Sequence, residues 1–276
     1  MSEHDEYILG TDTEELQRLR FQHKAWVEQA YALFERGGLR AGDAVLDLGC
    51  GPGYTSFELA DVVGPTGRVI ASDISERFLA FLDGECARRG LDQVETRLGS
   101  VEELDLPEGG LDAAYARWLF CWLPDPGAVL ADVARALRPG GVILLQEYLD
   151  WGALKLVPRS EVVDDVVLAC MRSWELGEGS INIADDLPVL ARAAGLVVEH
   201  MSPVARLGRA GSLEWRWIGG FFASYLPRLV ERGLIDATQL QAWREEWKRR
   251  SEDECTSCYT PVMADVVLRK PATGPR

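Results

Sequence analysis

Lysine is nearly missing from this chain: among 276 residues it stands only at positions 24, 155, 248 and 270, and arginine supplies the other cations. Acids outnumber bases 44 to 29, for a formal net charge of −15. A surface of that sign is repelled by phosphate backbones, which argues against a nucleic-acid partner. Long apolar runs are missing too. None reaches the ~20 residues of a membrane-spanning helix, and the start Met1-Ser-Glu-His-Asp-Glu6 lacks the basic-then-apolar order of a signal peptide. The six cysteines are scattered at 50, 86, 121, 170, 255 and 258. Cys255-Thr-Ser-Cys258 has paired spacing, but no second pair, nearby histidine or βαβ context completes a zinc or redox set, so it reads as ordinary packing. No other metal-ligand cluster and no internal repeat is found. We therefore expect a cytoplasmic protein with reduced thiols, no metal and no membrane contact.

What is present is ordinary globular composition, 47% apolar and 26% charged, in a length that fits one large α/β domain with an insertion or cap. The most telling stretch is Val45-Leu-Asp-Leu-Gly-Cys-Gly-Pro-Gly53. Val45, Leu46 and Leu48 supply the apolar run of a strand covered on both faces. Gly49, Gly51 and Gly53 remove every Cβ from a tight bend, so backbone N–H groups can approach a ligand closely. Pro52 fixes one φ angle within it. Phe57, Leu59, Ala60 and Val63 then follow helical spacing, so a ligand at the bend sits over a helix N-terminus, where anionic groups are favoured. A second apolar strand, Gly67-Arg-Val-Ile-Ala71, leads to Asp73. A carboxylate at that place meets ribose hydroxyls in nucleotide-binding α/β folds.

Along the chain, Thr11 or Thr13 can cap a helix running to about Arg36, with Leu16, Leu19, Trp26, Ala30 and Phe34 on its apolar face. Residues 1–10 read as weakly ordered and 271–276 as a tail. Strands are expected at 44–48, 67–72, 93–98, 111–116 and 142–148, alternating with helices at 54–63, 75–89 and 126–137 and a short acidic segment at 101–105. That alternation predicts a parallel sheet with helices on both faces. After Asp150 the rhythm breaks: helices are expected at 160–176, 185–194, 212–232 and 237–250, and strands at 196–206 and 259–268.

The phrase VLDLGCGPG followed by VIASD resembles the class I S-adenosylmethionine-dependent methyltransferases of small-molecule type. Specific motifs run from about Arg40 to Gly141, and the rest agrees in topology alone. The resemblance implies a Rossmann-like seven-stranded, mostly parallel sheet with an antiparallel edge hairpin, an N-terminal helix and a helical cap. It divides the chain into an N-terminal helical segment (1–39), a cofactor-binding core (40–150), a helical cap with the late strand 196–206 (151–252), and a final strand with tail (253–276). In that family the glycine turn holds the methionine part of S-adenosylmethionine and the acid after the second strand binds both ribose hydroxyls. The implied cofactor residues are Asp47, Gly49, Gly51, Asp73, Ile74, Ser100, Val101 and Arg117. Gly99-Ser100 stands where the family usually has Gly-Asp near the adenine amine; serine can accept that hydrogen bond but carries no charge. The partner implied is a small-molecule methyl acceptor, with room left for a homodimer.

Ligands in open parallel sheets bind outside the carboxyl ends of the strands. Among residues placed there, Glu147 is expected to bind the acceptor, and partial burial would raise its pKa towards that of a serviceable base. The alternative is a carboxylate paired with an arginine to hold the cap. Arg117 would hold the cofactor's carboxylate or pair with Glu147. Tyr148 and His23 are the other catalytic candidates, though a lone helical histidine is as readily a surface or satisfied residue. Trp217, Phe221 and Tyr225 share one helix face, as core or as a roof over a flat acceptor. Of nine tryptophans, six lie beyond residue 150. Tyr7, Trp118, Trp151, Trp217 and Phe221 are the expected acceptor wall.

The favoured function is methyl transfer to O, N or C of an aromatic or isoprenoid-like metabolite. Ala116-Arg-Trp-Leu119 lacks the Asn/Asp-Pro-Pro-aromatic signature of enzymes methylating macromolecular amino groups. The alternative is a relative that uses the bound sulfonium for a non-methylating step such as cyclisation. A nicotinamide-dependent oxidoreductase is disfavoured by the G-x-G-x-G spacing.

Overall fold

The computed structural model describes residues 13–177 and 179–272. Tyr7, the segment 1–10, Thr11 and most of the expected tail lie outside them. After the long helix α1 (Thr13–Gly37) come β1 (Ala44–Leu48), α2 (Tyr54–Val63), β2 (Arg68–Asp73), α3 (Glu76–Arg89), β3 (Val94–Leu98), β4 (Leu111–Arg117), α4 (Pro126–Ala136) and β5 (Leu137–Asp150). The second half contains β6 (Lys155–Val157), α5 (Glu161–Glu175), α6 (Leu187–Ala193), β7 (Val197–Val204), β8 (Leu207–Arg209), α7 (Leu213–Glu231), α8 (Ala237–Ser251), β9 (Ser257–Tyr259) and β10 (Val262–Arg269).

Seven strands form one sheet in the order β3-β2-β1-β4-β5-β10-β7. β1 to β5 run parallel, whereas β10 pairs antiparallel with both β5 and β7. The direction of winding reverses between β1 and β4, and such a switch point opens a crevice at the carboxyl ends of the strands. The period of two along each strand sorts the core into two faces. Val45, Val69, Ala113, Val142 and Leu144 pack beneath Ala30, Leu33 and Phe34 of α1 and Leu59, Ala60 and Val63 of α2. Leu46, Ile70, Ala114, Ile143 and Leu145 face the opposite way, into a larger core shared with α4 and the second half of the chain.

Most expected elements are found within one to three residues. β5 is longer than expected because it begins at Leu137, which pairs with Leu111. The next registered pair is Ala113 with Val142, so Arg138-Pro-Gly-Gly141 bulges out between them. The expected strand 259–268 is in fact two. Pro261 lacks a backbone donor, and the strand breaks there: Tyr259 pairs in a second sheet, Met263 in the main one. That second sheet, β6-β9-β8, means the segment above the main sheet is not helical throughout. β9 also lies beyond the boundary expected at residue 252, yet pairs with β6 and β8, which lie before it. Strands of three residues carry too little alternation to be read from sequence.

Candidate active site

A cleft of about 450 Å³ opens at the carboxyl ends of β1, β2 and β4, within the range of small-molecule sites. Its floor is the turn after β1. Gly49, Gly51 and Gly53 have φ angles of 61°, 55° and 76°, a region where L side chains are strained. A Cβ at Gly53 would meet Leu82 Cδ1 at 2.3 Å, whereas one at Gly51 would meet nothing within 4 Å and project into open space. The first glycine of this pair lets α2 pack on α3, and the second keeps the backbone of the cleft bare.

Asp73, at the end of β2, is buried. Its Oδ2 accepts the Gly51 N–H at 2.8 Å and its Oδ1 the Ser75 N–H at 2.8 Å. Burial pushes its pKa up, against those backbone donors. The Ser75 hydroxyl in turn accepts the Phe78 N–H and caps α3. One carboxylate thus joins the glycine turn to the start of the next helix, and each oxygen retains acceptor capacity towards the cleft. Asp47 lies deeper in β1; the Ser56 hydroxyl donates to its Oδ2 at 2.6 Å. Burial pushes its pKa up to about 7, opposed by that hydrogen bond and by Arg117.

Arg117 ends β4 and lines the cleft. Its Nη2 donates to Thr55 Oγ1 at 3.2 Å and lies 3.4 Å from His23 Nδ1, while its Nη1 is buried without a partner. A guanidinium only donates, so Nδ1 of His23 accepts and the ring hydrogen sits on Nε2, 3.2 Å from Glu58 Oε1. Burial holds the His23 pKa below its ordinary value despite Glu58. His23 is therefore a satisfied neutral imidazole at the cleft wall. Arg117 does not pair with Glu147.

Glu147 is fully buried and does not line the cleft. It sits beneath the turn after β4, where its Oε1 accepts the N–H groups of Leu119 and Phe120, each at 2.9 Å. Burial pushes its pKa up to about 8, against these donors. Glu147 was expected at the cleft or paired with an arginine; the structure instead sets its carboxyl under a turn, with Oε1 on two backbone N–H groups. That turn begins at Trp118, which has a left-handed φ of 53°, rare for a bulky residue.

The turn feeds an aromatic wall. Trp118 stacks between Tyr148 (ring centroids 5.9 Å apart) and Trp217 (5.5 Å). Trp122 meets Trp174 at 4.4 Å, and Trp174, Tyr225 and Phe221 continue the series at 5.3 and 5.2 Å. Trp118, Trp122, Tyr148, Trp174 and Phe221 border the cleft, as do Ile74, Ser100 and Val101 at the opposite end. Trp217 and Trp151 do not line it. Trp217 is pinned behind Trp118, its indole N–H donating to Gln22 Oε1 at 3.2 Å, and Trp151 packs behind Phe221. Sequence reasoning missed Trp122, Trp174, Thr55 and Glu102 as cleft residues. Only Glu102 had a signal, in the acidic segment 101–105: its Oε2 accepts from the Ser100 hydroxyl at 3.4 Å, which puts a carboxylate where the Gly-Ser pair had left none.

Residues 45–141 match a family model described as a methyltransferase domain. The nocamycin O-methyltransferase of Saccharothrix syringae is 41% identical over 252 residues, covering 85% of this chain and 88% of that one. The chain belongs to the S-adenosylmethionine-dependent methyltransferases. A 37.1 kDa protein in transposon Tn4556 of Streptomyces fradiae is 32% identical over 212 residues; the match covers 74% of this chain but 57% of that protein. The geranyl diphosphate C-methyltransferase of Streptomyces coelicolor A3(2), solved with Mg2+, geranyl diphosphate and S-adenosylhomocysteine, superposes with a TM-score of 0.59 at 14% identity, over 93% of this chain and 82% of that one. That likeness concerns the fold. The site of this methyltransferase suits the cofactor on its own geometry: a bare glycine turn, a carboxylate at the second strand, and a buried cationic donor lacking an acceptor.

Proposed function

We propose that this methyltransferase acts on a small, flat or apolar acceptor seated against Trp122, Trp174 and Phe221, at an oxygen, nitrogen or carbon atom. The observation that carries this reading is a single cavity bordered at one end by the glycine turn and Asp73 and at the other by the aromatic wall. When bound, S-adenosylmethionine supplies a methyl group on sulfur, open to in-line attack by a nucleophile.

The chain's own residues bind and align. Asp73 would accept from the ribose hydroxyls with the acceptor capacity its two backbone donors leave. Arg117 would turn its unpartnered Nη1 to the cofactor carboxylate, removing the cost of a buried unsatisfied donor, roughly 1–3 kcal/mol. Ile74, Val101 and Ser100, with Glu102, would flank the adenine, and the backbone at Gly49 and Gly51 would carry the methionine part. Of the catalytic candidates, Glu147 lies beneath the 119–120 backbone, whereas His23, which spends Nδ1 on Arg117, and Tyr148 both border the cleft. Holding two reactants in line can itself supply about 7–11 kcal/mol. A dry aromatic wall keeps water from competing.

The test is a panel of phenols, hydroxyquinones and isoprenoid alcohols incubated with protein and S-adenosylmethionine, scored for S-adenosylhomocysteine and methylated product together. Turnover of flat or apolar members above that of small polar alcohols supports the proposal. Conversion of an acceptor without S-adenosylhomocysteine release would favour the cyclisation reading instead.

A further inference from the structure

Arg117 comes to the cleft from the end of β4, and the side chains that accept its hydrogen bonds stand on other elements. Thr55 at the start of α2 and His23 on α1 both accept from Nη2, at 3.2 and 3.4 Å, and leave Nη1 as the uncommitted edge. His23 could not accept if its hydrogen sat on Nδ1. Glu58, one turn along α2 from Thr55, prevents this by taking the Nε2 hydrogen at 3.2 Å, and the Tyr31 hydroxyl donates to the other oxygen of the same carboxylate. Arg117 thus donates to His23 and His23 to Glu58, while Tyr31 donates to Glu58 from the other side, so the four side chains form one connected network from the surface of α1 to the cleft, with the Glu58 carboxylate as its common acceptor. The ring of Tyr54, at 5.9 Å, closes off one side of the imidazole.

We propose that His23 is the positioning residue that aims Arg117 at the cofactor's carboxylate, with Glu58 and Tyr31 fixing the tautomer that lets it do so. This rests on the assignment of Arg117 to that carboxylate. It gives α1 a part in cofactor recognition that its amphipathic pattern does not disclose: undocking the helix would remove an acceptor from Arg117 as well as a wall from the cleft.

The test compares two probes by calorimetry: S-adenosylhomocysteine, which carries the carboxylate, and 5′-methylthioadenosine, which keeps adenosine and sulfur but lacks the amino-acid portion. Arg117→Ala should weaken S-adenosylhomocysteine by roughly 10- to 150-fold, as expected for a charged hydrogen bond, with little change for 5′-methylthioadenosine. His23→Ala should weaken S-adenosylhomocysteine by about tenfold, again sparing the smaller probe. His23→Asn, whose side-chain oxygen stands where Nδ1 does, should recover most of the loss. His23→Gln, which reaches Glu58 but puts no acceptor at that place, should not. If Arg117→Ala affects both probes alike, the carboxylate assignment fails and the proposal falls with it. If Arg117→Ala is selective but His23→Ala weakens both probes equally or neither, the assignment stands and the positioning role of His23 is overturned. Equal behaviour of the Asn and Gln variants overturns it as well.

Discussion

Two carboxylates at the strand ends of one sheet, Asp73 and Glu147, are both buried and do different things, and their backbone surroundings account for it. Asp73 takes one N–H on each oxygen and still borders the cleft. Removing it deprives the cofactor of a charge-assisted acceptor, so Asp73→Ala should weaken S-adenosylhomocysteine by about two orders of magnitude, at roughly 1.5–3 kcal/mol for each such bond. Calorimetry on a folded variant checks this, and near-parent affinity would contradict the assignment. Glu147 spends one oxygen on two N–H groups under the 119–120 turn, out of reach of the cleft. Its pKa, raised by burial to about 8, lies above the ordinary value of 4.5. Between those values the folded protein holds a proton that the unfolded chain has released, so stability is greatest below the lower value and declines as pH rises through the window. Glu147→Gln keeps the acceptor and has no proton to lose. The variant's Tm should therefore fall less than the parent's between pH 5.5 and 8.5, and parallel pH curves would refute the point. The positions of both acids were legible in the sequence. Their contrasting roles were not, since they depend on which backbone N–H groups the turns bring near.

At the scale of elements, the glycine turn separates folding from binding within five residues. Gly53 has φ 76° and no space, its imagined Cβ lying 2.3 Å from Leu82. Gly53→Ala should force α2 from α3 and destabilise the protein by about 1–3 kcal/mol. Gly51 has a similar φ but open space ahead of it. Gly51→Val carries backbone strain, about 1–3 kcal/mol, and fills the cleft. It should fold with a lowered Tm that S-adenosylhomocysteine no longer raises. Thermal shifts with and without ligand distinguish the pair: Gly53→Ala should retain a ligand shift and Gly51→Val should not. A ligand shift of parent size in Gly51→Val would place the cofactor elsewhere.

For the whole molecule, what matters is how the second half of the chain closes over the first. The helical stripe Trp217, Phe221, Tyr225 turns out to be divided: Phe221 borders the cleft, Trp217 is held behind Trp118 and hydrogen-bonded to α1, and Tyr225 joins Phe221 to Trp174. Phe221→Ala should accordingly lower turnover of an acceptor more than cofactor affinity. Trp217→Ala should show itself first as lost stability, about 3–5 kcal/mol for a buried aromatic. Chemical denaturation alongside steady-state kinetics separates the two outcomes, and parent-like turnover in a folded Phe221→Ala protein would remove that residue from the acceptor wall. Among the described residues no helix is long and apolar enough to cross a membrane.

The sequence by itself determined the doubly wound core, the glycine turn and the acid at the second strand. Each is written in short-range chemistry: a run of apolar residues, three glycines in a bend, a carboxylate where a strand must end. The N-terminal helix and the break in rhythm after Asp150 were legible for the same reason. Only the tertiary structure decided that Glu147 faces backbone instead of substrate, that His23 is an acceptor for Arg117, that Trp122 and Trp174 meet across 52 residues of chain, and that three short strands at 155–157, 207–209 and 257–259 form a sheet. These outcomes rest on pairings between distant segments, and a residue's local pattern carries no record of which distant partner will satisfy its hydrogen bonds or cover its ring.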